Sequence, residues 1–202
     1  MAQMTPKKII LISLISALVI LGVGFLFTQV SGGNYIPAKF FEERIAGAGA
    51  AKNVARLVAD SLANLQKIEA ADKIGDFSRA LELVSYEQSN RQEKQNAALV
   101  LSSDLEAMAR TTNDITPSEA RQLSVEAVST GVAMVSRLID YNGLLDQLFN
   151  ALSIKFSSRG KQAPGVSVTD LISQLNTDSQ TINDLNQKFN SLLDQFDQRF
   201  VH

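Results

Sequence analysis

The chain has no cysteine, no tryptophan and a single histidine, and these gaps exclude several classes of chemistry. Without cysteine there is no disulfide framework, no thiol nucleophile and no Cys-ligated zinc. The compartment stays open, because an oxidising space permits disulfides without requiring them. The lone imidazole belongs to His202, at the end of the sequence, so no histidine pair can ligate a metal or serve a catalytic triad. No glycine-rich phosphate loop, Walker lysine or calcium loop is present. Ser158-Arg159-Gly160-Lys161 matches a Ser-x-x-Lys pattern. Serine–lysine chemistry needs the lysine desolvated and held near the hydroxyl, whereas this one falls in a glycine-containing loop. Four-residue matches of this kind arise by chance. The sequence therefore predicts no catalytic, cofactor-binding or metal-binding residues, and a protein that is not an enzyme.

Positive charge is also scarce. There are 19 basic and 21 acidic side chains, a net charge of −2. Setting aside Lys7 and Lys8 leaves 17 basic residues and a charge of about −4 on the remainder. A mildly acidic chain without a basic stripe argues against nucleic acid as a partner.

Apolar residues, by contrast, are plentiful and unevenly placed. Ile9 to Val30 is a run of 22 residues without a formal charge. About 20 helical residues at ~1.5 Å each cross a ~30 Å hydrocarbon layer, so this run is long enough to span. Lys7 and Lys8 precede it and the next basic residue is Lys39, which places residues 1–8 in the cytoplasm and the rest outside. Tyr35, Phe40 and Phe41 are positioned to sit near the membrane interface. A cleaved signal peptide ending near Val30-Ser31-Gly32, giving a secreted protein, is the alternative. Its apolar region would be only roughly 7–15 residues, so retention as a signal anchor is favoured.

Residues 31–36 read as a flexible joint, and Pro37 can open a helix. From there the pattern predicts an all-α extracytoplasmic domain over 37–202, with helices at about 37–71, 76–113, 117–157 and 167–200. In the first, Val54, Val58, Ser61, Leu65 and Ile68 recur at three and four. Gly47 and Gly49 weaken it by up to ~1 kcal/mol each, which leaves open a boundary that would put Phe40-Phe41 in a short interfacial helix of its own. In the second, Phe77, Leu81 and Val84 are followed by Ala98, Leu101, Leu105 and Met108. The intervening residues 88–96 contain no apolar side chain, and the reading here is a continuous helix, since no Gly or Pro stops it. Helix against loop for that stretch is the open point.

The third helix has a start signal in Thr116-Pro117-Ser118-Glu119: a capping hydroxyl, a first-turn proline and a carboxylate three residues after the cap. Val128, Val135, Leu138, Leu145, Phe149, Leu152 and Phe156 form its stripe, widened by Val132, Met134, Ile139, Tyr141 and Leu148. Ser167 and Asp170 repeat the capping arrangement before the fourth helix. That helix has Val168, Leu175, Ile182, Phe189 and Phe196 seven apart, interleaved with Leu171, Leu185 and Leu192. This is the strongest periodic signal in the chain. Short turns favour an elongated antiparallel four-helix bundle of one chain, with a three-helix arrangement or an oligomeric coiled coil as alternatives.

Asp178 interrupts the seam of the fourth helix and Asn142 occupies a core position in the third. Counting from the turns puts Gln88, Asn142 and Asp178 at similar heights, which predicts a buried polar layer, with Asp60 or Arg91 as further members. Such a layer serves to fix register, or else marks a small-ligand site between helices. Glu42-Glu43 and the Asp194/Asp197 pair read as solvated helix surface. The amides between Gln174 and Gln198 read the same way.

Function follows mainly by elimination. The first expectation is a membrane-anchored scaffold or protein-interaction module of the cell envelope, with a protein partner and no cofactor; a homo-oligomer is compatible with it. The alternative is a sensor-like bundle binding a small molecule between helices. The anchor-then-bundle layout is similar to the extracytoplasmic part of bacterial chemoreceptors in architecture alone. No motif residues match, and the second transmembrane helix and signalling region of that family are expected to be missing.

Overall fold

A computed structural model of the protein describes residues 35–158 and 167–201. The candidate anchor at 9–30, most of the joint and the Arg159–Val166 part of the loop lie outside the described residues. Within them the protein is all-helical, with α1 (Ala38–Ile74), α2 (Phe77–Ser89), α3 (Arg91–Thr111), α4 (Ser118–Ser157) and α5 (Val168–Phe200). A single 3-10 turn, Thr112–Asp114, joins α3 to α4. No helix among the described residues is long and apolar enough to cross a membrane.

α1 is 37 residues long and runs unbroken through Gly47 and Gly49. The helix expected over about 37–71 is one element, and Phe40-Phe41 belongs to it rather than to a separate short helix. Phe40 is fully buried against Phe196, with ring centroids 5.3 Å apart, and this tertiary contact outweighs the helix-weakening glycines. α1 ends where Gly75 takes φ +75°, a left-handed conformation that closes the helix through bonds to Ala71 and Asp72. Asp76 then caps α2, its Oδ1 accepting from the Arg79 N–H at 3.0 Å.

α2 and α3 are two helices divided at Asn90, where a continuous one was expected. The division is one residue long. The Asn90 N–H still donates to the Tyr86 carbonyl, and the Asn90 carbonyl still accepts from the Lys94 N–H, both at 3.2 Å. These two bonds bridge the interruption, and α2 and α3 run on in one direction along α1 and α4 as a single rod.

The capping box foreseen at the start of α4 is absent. Pro117 occupies the cap with no side-chain bond, and the Thr116–Pro117 peptide is cis. Thr116 instead faces Tyr35: each backbone N–H donates to the other's carbonyl, at 3.0 and 2.9 Å, and the Tyr35 N–H also reaches Thr116 Oγ1. A partner 81 residues away thus displaces the local cap. Ser167 does behave as expected, its Oγ accepting from the Asp170 N–H at 3.2 Å.

Neighbouring rods are antiparallel. Arg56 pairs with Glu93 while Asn64 pairs with Glu87; Arg91 pairs with Asp146 and Lys188 with Glu126. The order around the bundle is α1, α2–α3, α4, α5, and α1 and α5 scarcely approach each other by backbone. The α5 seam is the one the heptads indicate, with Leu171, Leu175, Ile182, Leu192 and Phe196 buried. On α4, however, Val132 and Ile139 are half exposed and sit outside the stripe. A second, smaller core closes one end of the bundle, made of Phe40, Met108, Ile115, Val128, Leu192 and Phe196.

Gly131 sits at a tight contact with side chains of two neighbouring rods. A Cβ built there would lie 2.8 Å from a Leu105 methyl and 3.3 Å from the Phe189 ring, whereas one on exposed Gly143 meets nothing. Helix propensity alone favours alanine by ~1 kcal/mol at either site. Gly143→Ala is therefore expected to stabilise by about 0.5–1 kcal/mol. Gly131→Ala should instead destabilise by roughly 1 kcal/mol, because overpacking costs about 1–3 kcal/mol. Urea unfolding of the two variants checks the sign of each.

Candidate functional site

The three residues proposed to form a polar layer are not brought together. Gln88 lies opposite Asn150, its Nε2 donating at 2.8 Å. Asp178 is opposite Arg137, 4.0 Å away. Asn150 and Arg137 are 13 positions apart on α4, which at ~1.5 Å per residue separates the two levels by about 20 Å. Asn142 falls between them, half-buried and without a side-chain hydrogen bond among the described residues. Arg91 pairs with Asp146 at 2.7 Å, and Asp60 lies on the surface with Arg56. The three side chains are all only partly buried.

A buried polar cluster lies elsewhere, one turn on either side of Asn90. Glu87 is 2% exposed. Its carboxylate accepts from Ser61 Oγ at 2.7 Å, Asn64 Nδ2 at 2.5 Å and Lys94 Nζ at 2.6 Å. Lys94 is itself buried and lies over the Phe149 ring, 5.4 Å from its centroid. Lys67 extends the network by donating to Asn64 Oδ1. Burial pushes the Glu87 carboxyl up, but the bonds from Asn64, Lys94 and Ser61 and the Lys94 charge outweigh it. The group titrates below its ordinary 4.5. Asp146, at the edge, is raised by burial despite the pull of Arg91 and Lys94. With every oxygen of Glu87 satisfied, this cluster is a closed structural joint between α1, α2, α3 and α4 rather than an open receptor.

A seam count places Glu87 and Lys94. Ala80, Val84, Glu87, Arg91, Lys94, Ala98, Leu101, Leu105 and Met108 follow alternating spacings of four and three. Two of the polar positions in that series are buried.

A cleft of about 70 Å³ lies between α1 and α5 among the described residues. Gly47, Ala48 and Ala51 supply the α1 wall, and their small side chains leave the seam unfilled. Leu101, Leu105 and Met108 of α3 and Met134 of α4 make the floor, and Phe189 and Leu193 of α5 the far wall. Glu43, Asp104 and Asp194 stand around it, with Asn186 and Asn190. None of the three carboxylates has a hydrogen bond or ion pair among the described residues. One end is closed by Arg44, which is 6% exposed and clamps Asp197 in two bonds of 2.7 and 2.8 Å. Asp197 is thus a bridging residue between α1 and α5, not the solvated surface charge its type suggests. The Arg44 Nε is buried and unpartnered. Among the described residues no three His, Cys, Asp or Glu side chains converge to hold a metal ion.

No family model, curated protein or solved structure matches the chain.

Proposed function

We propose that this protein is a membrane-anchored, non-catalytic interaction module of the cell envelope, held in the bilayer by residues 9–30 with the bundle outside. The anchor rests on the uncharged run and on Lys7 and Lys8 before it. The observation that carries the rest is the position of Tyr35. Its two backbone bonds to Thr116 bring the chain into the bundle at the end that also carries the α3–α4 turn and the end of α5. The α1–α2 turn at Gly75 and the end of α4 are at the other end, where Phe77 stacks on Phe156. Thirty-seven helical residues in α1 span about 55 Å, so the bundle supports a surface that far from the membrane. Its long faces carry half-exposed apolar residues such as Leu99, Val100, Val132 and Ile139, which suit contact with another protein.

The cleft between α1 and α5 favours a second reading, a sensor-like module with a small molecule between helices. Crosslinking in native membranes followed by purification of the full chain separates the two. The first reading expects a defined protein adduct. A chain that comes back as a monomer, with a stoichiometric small molecule in native mass spectrometry, moves the conclusion to the second.

A further inference from the structure

We propose that a second copy of this chain packs antiparallel on the outer face of α4, an inference that rests on the interaction-module reading and names its partner. Val125, Val132 and Ile139 are half exposed and follow one another at seven residues, nearly two turns, so they form one edge of that face. Val132 is five turns from Asn150, which meets Gln88, so this edge borders the α2–α3 rod. Leu99 and Ile139 each lie three turns from that same contact, which sets Leu99, 60% exposed, beside Ile139. Glu126 and Arg137 mark the opposite edge, since Glu126 pairs with Lys188 of α5 and Arg137 faces Asp178. Between the edges lie exposed Ser129, Ala133 and Ser136, short enough for another helix to come close.

The occupant is a second copy because this face is its own complement. Val125 and Ile139 lie seven residues on either side of Val132. A two-fold axis at Val132 therefore sets Val125 against the partner's Ile139, and Val132 against itself. Ser129 and Ser136 exchange in the same way to within one residue. Glu126 is six residues before Val132 and Arg137 five after it, so the same axis opposes this acid and base twice. Their α5 neighbours, Lys188 and Asp178, come to matching levels with opposite sign. The Arg137 guanidinium has donors to spare, as Asp140 and Asp178 come no nearer than 3.9 Å. Direction follows from the edges. An antiparallel pair brings like edges together, whereas a parallel pair would lay Glu126 and Arg137 on the partner's valines.

From Val125 to Ile139 the face is about 21 Å long and one helix, ~10 Å, wide. That is smaller than the roughly 800 Å² a standard interface buries on each side, so single molecules pair weakly. Opposite directions also put the two anchors at opposite ends. Outward-standing copies therefore pair across two facing membranes, where many weak contacts act together.

A chain without cysteine lets single thiols read this geometry. In the full chain treated with a short bismaleimide in detergent, Val132→Cys should couple to itself. Val125→Cys or Ile139→Cys alone should not, their copies being about 21 Å apart, yet a mixture of the two should couple. The same mixture divided between two liposome populations should couple from one to the other. Glu126→Arg should lower the Val132→Cys dimer yield about tenfold, and Glu126→Arg/Arg137→Glu should restore it. These positions are exposed, and an unchanged helical signal confirms that each variant folds. No dimer through Val132→Cys, self-coupling at all three positions, or no recovery in the charge swap would overturn the proposal. Coupling of Val132→Cys to a different protein in native membranes would reject the second copy in favour of that partner. Coupling in detergent but not between liposomes would keep the pair and remove the outward-standing anchor.

Discussion

Lys94→Met lowers the stability of the bundle by roughly 3–5 kcal/mol, because it strands the buried Glu87 carboxylate without its counter-ion. At about 2–4 °C per kcal/mol for a domain of this size, the midpoint of thermal unfolding falls by roughly 10 °C. The pH dependence identifies the cause. In the native protein the Glu87 carboxyl is held below 4.5, so the folded state binds its proton less readily than the unfolded chain. That contribution is complete above about pH 4.5 and is lost as the pH falls through the folded value. Removing Lys94 deletes a hydrogen bond and a positive charge while leaving burial in place, which raises the carboxyl from its native value. The variant's folded state therefore keeps the proton to higher pH than the native protein's and gains less on ionisation. The gap between the two proteins should therefore be wider at pH 7 than at pH 4. Glu87→Gln/Lys94→Met removes both charges, keeps an acceptor for Asn64 and offers an N–H that the Ser61 hydroxyl can accept, so it should recover most of the loss. Parallel denaturation of the three proteins at both pH values checks this; an equal gap at the two pH values would dismiss the buried pair as the cause.

Phe196→Ala is expected to cost about 3–5 kcal/mol, the range for truncating a fully buried aromatic ring. Phe196 touches Phe40 of α1 and Phe200 of its own helix, at 5.3 and 5.9 Å between centroids. It therefore ties α5 to the place where the chain enters the bundle. Phe200 is only partly buried, and Phe200→Ala should cost distinctly less. The loss at 196 should also be local in its dynamics. Amide exchange at Tyr35 and Thr116, whose mutual bonds depend on the same small core, should speed up before exchange in the middle of α4 does. Uniform acceleration along the whole chain would contradict a separate end core.

These two sites also mark how far the sequence can be read. The α5 seam is legible because apolar residues at heptad spacing have one economical use, burial against neighbouring helices, and the helix count and its antiparallel order follow from that and the short turns. Glu87 and Lys94 are hidden by their type: charged residues are usually solvated, so by residue type the seam stops at Val84, whereas in the structure it continues through them. The converse error falls on Val132 and Ile139, apolar residues that fit a stripe by spacing yet face outward, as much apolar surface on proteins does. Thr116 fails for another reason. Its local capping pattern is sound, but a partner far away in sequence, Tyr35, takes the residue for a bridge. Gln88, Asn142 and Asp178 fail on register. Heights counted from turns accumulate error along each helix, and the pairs Gln88–Asn150 and Arg137–Asp178 fix the levels that counting cannot. The cleft is the least legible of all, since it arises from what Gly47, Ala48 and Ala51 leave unfilled.

The absence of cysteine gives the most direct measurement, because one introduced thiol is unique in the chain. Ile74, at the α1–α2 turn, is 80% exposed and is a safe position for it. In the Ile74→Cys protein in intact cells, a membrane-impermeant maleimide added from outside should label the thiol fully. A fluorophore there should report a height of roughly 50 Å above the bilayer, set by the length of α1. Labelling that requires permeabilised cells, or quenching of that fluorophore by lipid-borne quenchers, would contradict an outward-standing bundle.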